Sequence, residues 1–384
     1  MDKLELKYGW KKQILTYCLE FCGFALAGFV RLFSGKPTSS GEQRILLIEP
    51  FQMGDVAALS LLFQPLKKKY PEAKLYILSR KGPGMVATTF LEVSGVLHSN
   101  FPWIASDQKG LRAWQSWFKN LISFRKLDFF LGIDVRGDVR SQLSLKLAGC
   151  QKVLSYQQYI YSDLKAFGFL TDFLVGKAPY MHIFDRNRFL LTGLGLLEKD
   201  LFPIQFPTFH PKEPYQIQPE LKPILVHTGA SWEFKRWEAE RWAKVITQIE
   251  SIYPNPVLLI SVPSEAILVE EILSYLPDGH RARPIFPPID ELIHLLQSCQ
   301  ILIGLDSGPM CIANCLNVPR LALFGPGVPE VWRPYQQGSG FIQHTEKFSC
   351  YPCIQKICYF PEHSCMKEIE ADEVSEAIAK VLVQ

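Results

Sequence analysis

The chain has 384 residues, of which 48% are hydrophobic and 21% charged, and its formal net charge at pH 7 is +3. This length exceeds one ordinary hydrophobic core, so we expect two domains, and the composition excludes a largely disordered chain. The small net charge gives no general case for a nucleic-acid-binding protein, although it does not exclude local basic surfaces. The ten cysteines are dispersed and no cleavable secretory signal is recognisable. We therefore expect a reducing, cytoplasmic compartment with mostly free thiols.

The first segment, residues 1–41, differs from the rest of the chain. Four lysines among the first twelve residues precede an apolar run from Ile14 to Phe33, and Gly35 to Gly41 has the composition of a linker. The run is just long enough to span a bilayer. A spanning helix would, however, place the lysines across the membrane from the body of the protein, against the positive-inside tendency. A helix lying in the membrane interface avoids that conflict, and a helix packed on the protein's own surface is the third interpretation.

The first domain is predicted over residues 42–205 and begins with an apolar strand at Arg44. Met53-Gly-Asp55 follows that strand, and a helical pattern then runs from Ala57 to Lys69. A strand at Leu75 to Leu78 comes next, so the domain begins as a doubly wound sheet. Such sheets bind ligands outside the carboxyl ends of their strands, where Asp55 is placed. Taken in isolation, Asp55 is better explained as the N-cap residue of the helix.

Another strand, Phe129 to Val135, leads into a charged loop. Asp134 and Arg136 lie where this strand ends, and Arg140 lies on the following helical turn. The pattern predicts charge at the same edge of the sheet, while a solvated loop or an ordinary salt bridge explains it as well.

A proline-rich linker is predicted at residues 206–222, and a second domain over residues 223–366. Pro223 to His227 is its first strand. Polar residues again follow the predicted strands: Thr228, Ser231, Lys235, Glu265, Asp306 and Ser307.

The clearest βαβ unit of the chain lies in this second domain. Ile301 to Leu305 is a short apolar run typical of a strand buried on both faces. Asp306-Ser-Gly308-Pro309 interrupts it, and proline is favoured in the first turn of a helix. A second buried strand follows at Arg320 to Phe324. The turn offers backbone N–H groups and a positive helix end to an anion. An ordinary turn capped by Asp306 or Ser307 is the simpler alternative.

Four cysteines lie close together near the C-terminus, at Cys350, Cys353, Cys358 and Cys365. Thiolates are preferred ligands of structural zinc. Because the spacing matches no common zinc ribbon or finger, free thiols or one redox-dependent bridge are favoured over a metal site.

Taken together, the motifs resemble those of the family nine glycosyltransferases, the heptosyltransferases of lipopolysaccharide synthesis. The resemblance extends from Ile45 nearly to the C-terminus. It implies a GT-B fold, an α/β architecture of two Rossmann-like doubly wound domains facing a cleft, with a last helix in residues 367–384 that often packs back on the N-terminal domain. The motifs are Met53-Gly-Asp55, Asp134-x-Arg-Gly-x-x-Arg-Ser141, His182-x-x-x-Arg186, Thr228-Gly-Ala-Ser231, Lys235-Arg-Trp237, Asp306-Ser-Gly-Pro-Met310 and Phe324-Gly-Pro326.

The resemblance implies inverting, metal-independent transfer of a heptose or related sugar without a cofactor. The donor would be a nucleotide diphosphate sugar such as ADP-heptose, and the acceptor a lipopolysaccharide core or another lipid-linked saccharide at the inner face of the cytoplasmic membrane. Such a displacement needs a base for the acceptor hydroxyl, for which Asp55 is the candidate, and positive charge for the departing diphosphate, for which Lys235 is the candidate. Arg136 and Arg140 would bind the acceptor. The donor would contact Thr228, Ser231, Glu265, Asp306, Ser307, Gly308 and Pro309.

One position departs from the family pattern. Cys311 stands where the family usually has a histidine, and a thiol cannot provide the charged hydrogen bond of an imidazolium. We therefore expect this protein to differ from the family pattern either in its donor sugar or in how it stabilises the leaving group. A nucleotide-sugar 2-epimerase on the same fold and a non-catalytic nucleotide-sugar-binding module are the alternative functions.

Overall fold

The computed structural model describes residues 42–104, 110–158, 170–209, 221–230, 232–335, 338–351, 353 and 357–383. The chain divides into two compact units, Met1–His210 and Pro211–Gln384. The division falls within the predicted linker at residues 206–222. The predicted apolar helix from Ile14 to Phe33 lies outside the described residues.

The first unit is built on a six-stranded parallel sheet in the order β3-β2-β1-β4-β5-β6. Ile45 to Ile48 of the central strand are completely buried, as expected for a parallel sheet covered on both faces. The strands are β1 (Arg44–Ile48), β2 (Lys74–Ser79), β3 (Val93–His98), β4 (Leu131–Asp134), β5 (Lys152–Gln158) and β6 (Phe173–Lys177).

One predicted helix of this unit is interrupted. The segment predicted as a helix from Ala57 to Lys69 consists of two helices joined by a 3₁₀ turn at Leu59–Leu62. Pro65 has no N–H to donate to the preceding turn, which disfavours a continuous α-helix here. The α-helices of the unit are α1 (Met53–Ala58), α2 (Phe63–Lys69), α3 (Lys81–Gly84), α4 (Leu111–Phe124), α5 (Val139–Leu147), α6 (Ile183–Phe189) and α7 (Glu198–Leu201).

The second unit repeats the same topology. Its six parallel strands are ordered β12-β11-β10-β7-β8-β9, so its first and fourth strands are again neighbours at the centre. The strands are β7 (Ile224–His227), β8 (Val257–Ile260), β9 (Arg283–Ile285), β10 (Ile301–Leu305), β11 (Arg320–Phe324) and β12 (Ser339–Gln343).

The helices of the second unit cover this sheet and include the C-terminal helix. That helix packs against the helix Ala239–Ile252 and the strands β11 and β12. Its buried residues Val374, Ile378 and Val381 belong to the core of the second unit. The expectation that it packs back on the N-terminal domain stays a prediction. The α-helices are α8 (Ala239–Ile252), α9 (Ala266–Ser274), α10 (Ile289–Ser298), α11 (Gly308–Leu316), α12 (Pro329–Trp332) and α13 (Ala371–Val383).

The strand order places a ligand-binding position in each unit. In the first unit, β2 and β3 are added on one side of β1, and β4, β5 and β6 on the other, so a topological switch point lies between β1 and β4. The corresponding switch point of the second unit lies between β7 and β10. Crevices form at the carboxyl ends of strands at such switch points. Across the described ranges, no helix combines the length and apolar character needed to cross a membrane.

Candidate functional site

Asp55 lies in α1, just beyond the carboxyl end of β1, and its two oxygens have different partners. Oδ2 accepts a hydrogen bond of 3.1 Å from the backbone N–H of Gln52, which starts the helix. Oδ1 forms an ion pair of 2.8 Å with Nη2 of Arg136. Gln52, and not Asp55, is therefore the N-cap residue, while Asp55 is the third residue of the helix and pairs with the N-cap backbone and with a charged partner.

Arg136 bridges Asp55 and a second acid, Glu49. Its Nε donates to both carboxylate oxygens of Glu49, at 2.9 and 2.8 Å. Its guanidinium also stacks on the ring of Phe51, 4.0 Å from the ring centroid. Arg136 is thus held between two carboxylates and an aromatic face at the switch point of the first sheet.

Glu49 was not predicted as a site residue. It follows β1 directly, and its side chain is buried. Burial raises the pKa of Glu49 to about 7, although Arg136 opposes this effect. The sequence does contain a signal for it, because an acidic residue directly after a fully buried strand is costly unless it is paired.

Asp134 organises the loop that holds both predicted acceptor arginines. Its carboxylate accepts hydrogen bonds from the backbone N–H groups of Arg136 and Asp138, each at 3.0 Å, and from the Ser155 hydroxyl at 2.8 Å. Burial raises the pKa of Asp134 to about 7, while these hydrogen bonds oppose the shift. The loop geometry is therefore set by a carboxylate that is itself removed from solvent.

Arg140 lies one helical turn further along. Its Nε donates to Oδ1 of Asp138 at 2.9 Å, and its guanidinium lies over the ring of Trp103, 5.4 Å from the centroid. Arg140 is more exposed than Arg136, which leaves part of its guanidinium at the surface.

The His182-to-Arg186 motif lies at the start of the helix α6, which contacts the end of α1. His182 caps α6 by accepting a hydrogen bond from the N–H of Phe184, and Arg186 is completely buried. The next residue, Asn187, donates to the carbonyl oxygen of Ala58 at 3.1 Å. Because Ala58 ends α1, this contact fixes the helix that holds Asp55.

In the second unit, Lys235 and Asp306 form a direct pair. Nζ of Lys235 lies 2.7 Å from Oδ2 of Asp306. A Cβ at Gly327 would come within 2.5 Å of the same oxygen, so glycine is needed there for the close approach of Asp306. The structure thus joins three motifs that are distant in the sequence.

Glu265 lies against the turn that follows β7. A Cβ at Gly229 would overlap the carboxylate of Glu265, so the Glu265 side chain keeps its present position because residue 229 is a glycine. Ser261 donates to Glu265 at 3.3 Å, and Nη2 of Arg236 lies 3.7 Å from the other oxygen. Glu265 therefore lies beside the backbone of the turn that follows β7, and its role in donor binding stays a prediction.

The β7–β10 switch point holds two further polar groups. Nδ1 of His227 and the hydroxyl of Ser307 share a hydrogen bond of 3.2 Å, and burial lowers the pKa of His227 to about 4. The imidazole is therefore neutral at physiological pH. Oγ1 of the neighbouring Thr228 is buried and has no hydrogen-bond partner in the described part of the protein. Ser231 lies outside the described residues.

The turn after β10 starts the nine-residue helix α11. Ser307 is its N-cap residue, Gly308 is its first residue, and Pro309 lies in its first turn. Since the first N–H groups of a helix have no partner within it, this end can bind an anion. Cys311, in place of the family's histidine, is buried in the same turn.

The four C-terminal cysteines line one pocket of the second unit, together with Trp232 and other aromatic residues. No disulfide bond is formed among the eight cysteines in the described ranges. Within those ranges, no three histidine, cysteine or acidic side chains are arranged to hold a metal ion.

Comparison with solved structures identifies the same architecture elsewhere. ADP-heptose lipopolysaccharide heptosyltransferase II of Escherichia coli superposes with a TM-score of 0.71 at 19% identity, covering 89% of this chain and 99% of that one. The E. coli heptosyltransferase WaaC with ADP gives a TM-score of 0.63 at 15% identity, covering 88% and 97%. These similarities confirm the predicted pair of Rossmann-like domains of the GT-B fold.

Sequence comparison identifies the family. A lipooligosaccharide heptosyltransferase 2 of Campylobacter jejuni is 30% identical over 166 residues, so the match spans 42% of this chain and about half, 52%, of that relative. A second C. jejuni protein of the same name is 26% identical over 228 residues, covering 54% and 69%. The sequence model of glycosyltransferase family 9 (heptosyltransferase) matches residues 122–363, which is more than half of the chain. The protein therefore belongs to glycosyltransferase family 9, the heptosyltransferases, and is a glycosyltransferase.

Proposed function

We propose that the protein transfers a heptose, with inversion, from ADP-heptose to a lipopolysaccharide core or a related lipid-linked saccharide. The observation that supports this most directly is the Lys235–Asp306 pair at the switch point of the second unit, in a chain that belongs to the heptosyltransferase family. The two C. jejuni relatives are named lipooligosaccharide heptosyltransferases, which favours this class of acceptor.

The second unit supplies the donor site in this proposal. Lys235 and the first N–H groups of α11 stabilise the diphosphate as its charge increases during bond breakage. Thr228 offers a buried hydroxyl that a donor oxygen can pair, and the carboxylate of Glu265 can accept from the ribose hydroxyls. Asp306 holds the ammonium group of Lys235 in place before the donor binds.

The first unit supplies the base. Asp55 accepts the proton of the acceptor hydroxyl as that oxygen attacks the anomeric carbon, and ADP leaves from the opposite face, which inverts the configuration. Arg136 fixes the orientation of the Asp55 carboxylate through their 2.8 Å ion pair. Arg140, the more exposed of the two arginines, is positioned to bind negative groups of the acceptor.

The test is a transfer assay with purified full-length protein, ADP-heptose and a heptose-deficient lipopolysaccharide acceptor, run with and without EDTA. We expect one heptose to be added per ADP released, at the same rate in both conditions. An epimerised donor without transfer would show the 2-epimerase instead, and binding of ADP-heptose without any turnover would show a non-catalytic module. The family assignment disfavours both alternatives.

A further inference from the structure

Helix α4 exposes a row of large apolar side chains that the fold of the first unit does not bury. Leu111, Trp114 and Phe118 are 74%, 45% and 47% exposed. Their spacing of three and four residues places them on one face of the helix. Trp117 and Leu121 lie on the adjoining face of the helix and pack into the core of the unit. The helix is therefore anchored by that buried face, while much of the apolar row beside it stays exposed.

Within the stretch of sequence that contains this row, all the charges have the same sign. Between Gly110 and Leu127 the sequence contains four basic residues and no acidic one. Arg112 and Lys119 are exposed and lie on the same side of the apolar row, since each follows one of its members by a single residue. Such a surface is complementary to a negatively charged layer with an apolar interior.

The row is also connected to the predicted acceptor side of the unit. The ring of Trp103 lies 5.9 Å from that of Trp114 and 5.6 Å from that of Trp117. The same Trp103 ring stacks under the guanidinium of Arg140. The exposed face of α4 and the loop after β4 thus belong to one continuous region of the first unit.

We propose that α4 is a membrane-docking helix, whose exposed row enters the headgroup region of an anionic lipid surface while Arg112 and Lys119 contact lipid phosphates. Tryptophan is favoured at membrane interfaces, and basic side chains bind anionic headgroups while their stems lie along apolar surface. A lipid surface fits better than a protein partner, because Arg112 and Lys119 have the same sign and lie along one side of the apolar row. The role of this docking, presenting lipid-linked acceptor near Arg140, rests on the proposed function; the docking itself does not.

The experiment measures the partition of the full-length protein onto vesicles of phosphatidylcholine with 30% phosphatidylglycerol. The double variant Trp114→Ala/Phe118→Ala removes apolar area. The double variant Arg112→Gln/Lys119→Gln removes two positive charges, and each charge contributes a factor of about five to the partition coefficient at low salt. We expect both double variants to bind at least about tenfold more weakly. The matched controls are Leu197→Ala, which removes a 58% exposed leucine of the same unit, and Lys81→Gln, which removes another exposed charge; both should bind as the unmodified protein does.

A second readout separates α4 from the N-terminal segment, for which one interpretation of the sequence also predicts membrane binding. With brominated lipids, Trp114 should be quenched, and Trp114→Phe should lose that part of the quenching while its partition is retained. Unchanged partition of both double variants, or equal quenching in Trp114→Phe and the unmodified protein, would overturn the proposal. Transfer to a short soluble acceptor is assayed in parallel. A variant that loses vesicle binding but transfers sugar normally to the soluble acceptor supports docking. If neither the unmodified protein nor any variant transfers sugar to that acceptor, the proposed function is refuted, while the vesicle result still holds.

Discussion

Arg136 is shared between Asp55 and Glu49, so the orientation of the Asp55 carboxylate depends on a residue that never needs to touch the substrate. Nε of Arg136 donates to both carboxylate oxygens of Glu49, and its Nη2 lies 2.8 Å from Oδ1 of Asp55. Glu49 therefore holds the guanidinium that in turn orients Asp55.

Asp55→Asn should lower kcat by about 10²–10⁴-fold with little change in donor affinity, because it removes the base. The amide oxygen of asparagine can still accept from Gln52, so thermal stability should change little. Steady-state kinetics and a melting curve measure the two effects.

Asp200→Asn is a matched control, since Asp200 also accepts from a backbone N–H three residues earlier and pairs with a lysine, Lys68, at 3.0 Å. Near-normal turnover of the Asp55 variant would reduce that residue to a helix cap. A loss of turnover in both variants would mean that removing a paired carboxylate is harmful wherever it lies in this unit, and the loss at Asp55 would then not identify a base.

Lys235→Ala should weaken donor binding and reduce turnover together, by about 10²–10³-fold in kcat/KM, because the diphosphate is charged before and after the bond breaks. The variant also leaves the Asp306 carboxylate facing the phosphates without its partner. Isothermal titration with ADP and steady-state kinetics measure the loss. Lys244→Ala, which breaks the exposed Lys244–Asp372 pair of 2.8 Å, should leave both quantities unchanged. Equal donor affinity in the Lys235 variant and the unmodified protein would refute its role.

Glu49 and Asp134 should make the first unit less stable as the pH rises. The pKa of each is raised to about 7 in the folded protein, so each keeps its proton there after the unfolded chain has lost it. The folded state binds more protons between about pH 4.5 and pH 7, and its stability therefore falls with increasing pH in that window, by up to about 1.4 kcal/mol per pH unit for each group.

Urea unfolding at pH 5, 6, 7 and 8 measures this slope. Glu49→Gln removes one titrating group while keeping an acceptor oxygen for Arg136, so its stability should depend less steeply on pH than that of the unmodified protein. Parallel curves for the two proteins would show that Glu49 is ionised throughout.

At the level of elements, the N-terminal segment is expected to be separate from the fold. Deleting residues 1–40 should leave a folded protein, because the linker at Gly35 to Gly41 precedes β1. That protein should transfer sugar to a short soluble acceptor as before, while its activity on vesicle-embedded acceptor falls. If alkaline carbonate extracts the full-length protein from membranes, the N-terminal helix lies in the interface. If the protein resists carbonate, the helix spans the membrane. Aggregation of the shortened protein would mean that the segment belongs to the protein's own core.

The elements that were predicted best from the sequence are the buried strands, and the least predictable features are the pairings between them. Ile301 to Leu305 forms β10 as predicted, because a short apolar run between turn residues has few alternatives. Pro65 was the visible reason for the interruption between α1 and α2, yet the apolar pattern around it favoured one continuous helix. The pair of Lys235 and Asp306 spans 71 residues and is created by the strand order, which no local pattern determines. Glu49 was missed because its partner, Arg136, is 87 residues away.

At the level of the whole molecule, the division into two units predicts two unfolding transitions. All of the residues proposed to bind the donor belong to the second unit, so ADP should raise the transition temperature of that unit alone. At a hundredfold excess over Kd the gain is about 2.7 kcal/mol, or a shift of roughly 5–10 °C for a unit of this size. Differential scanning calorimetry with and without ADP measures it. A single transition that shifts as a whole would show that the two units unfold together.

Each unit is also formed by a single continuous stretch of the chain. The first unit lies entirely before the division at Pro211, and the second begins there. During translation the whole first sheet, with Asp55, Arg136 and Glu49 already assembled, can form while the residues from Pro211 onward are still being added. At about 5–20 residues per second, that interval lasts on the order of tens of seconds. The second unit, by contrast, has to wait for its last helix, α13, because Val374 and Ile378 complete its core. A ribosome stalled just before α13 should therefore display a protease-resistant first unit and a protease-sensitive second one.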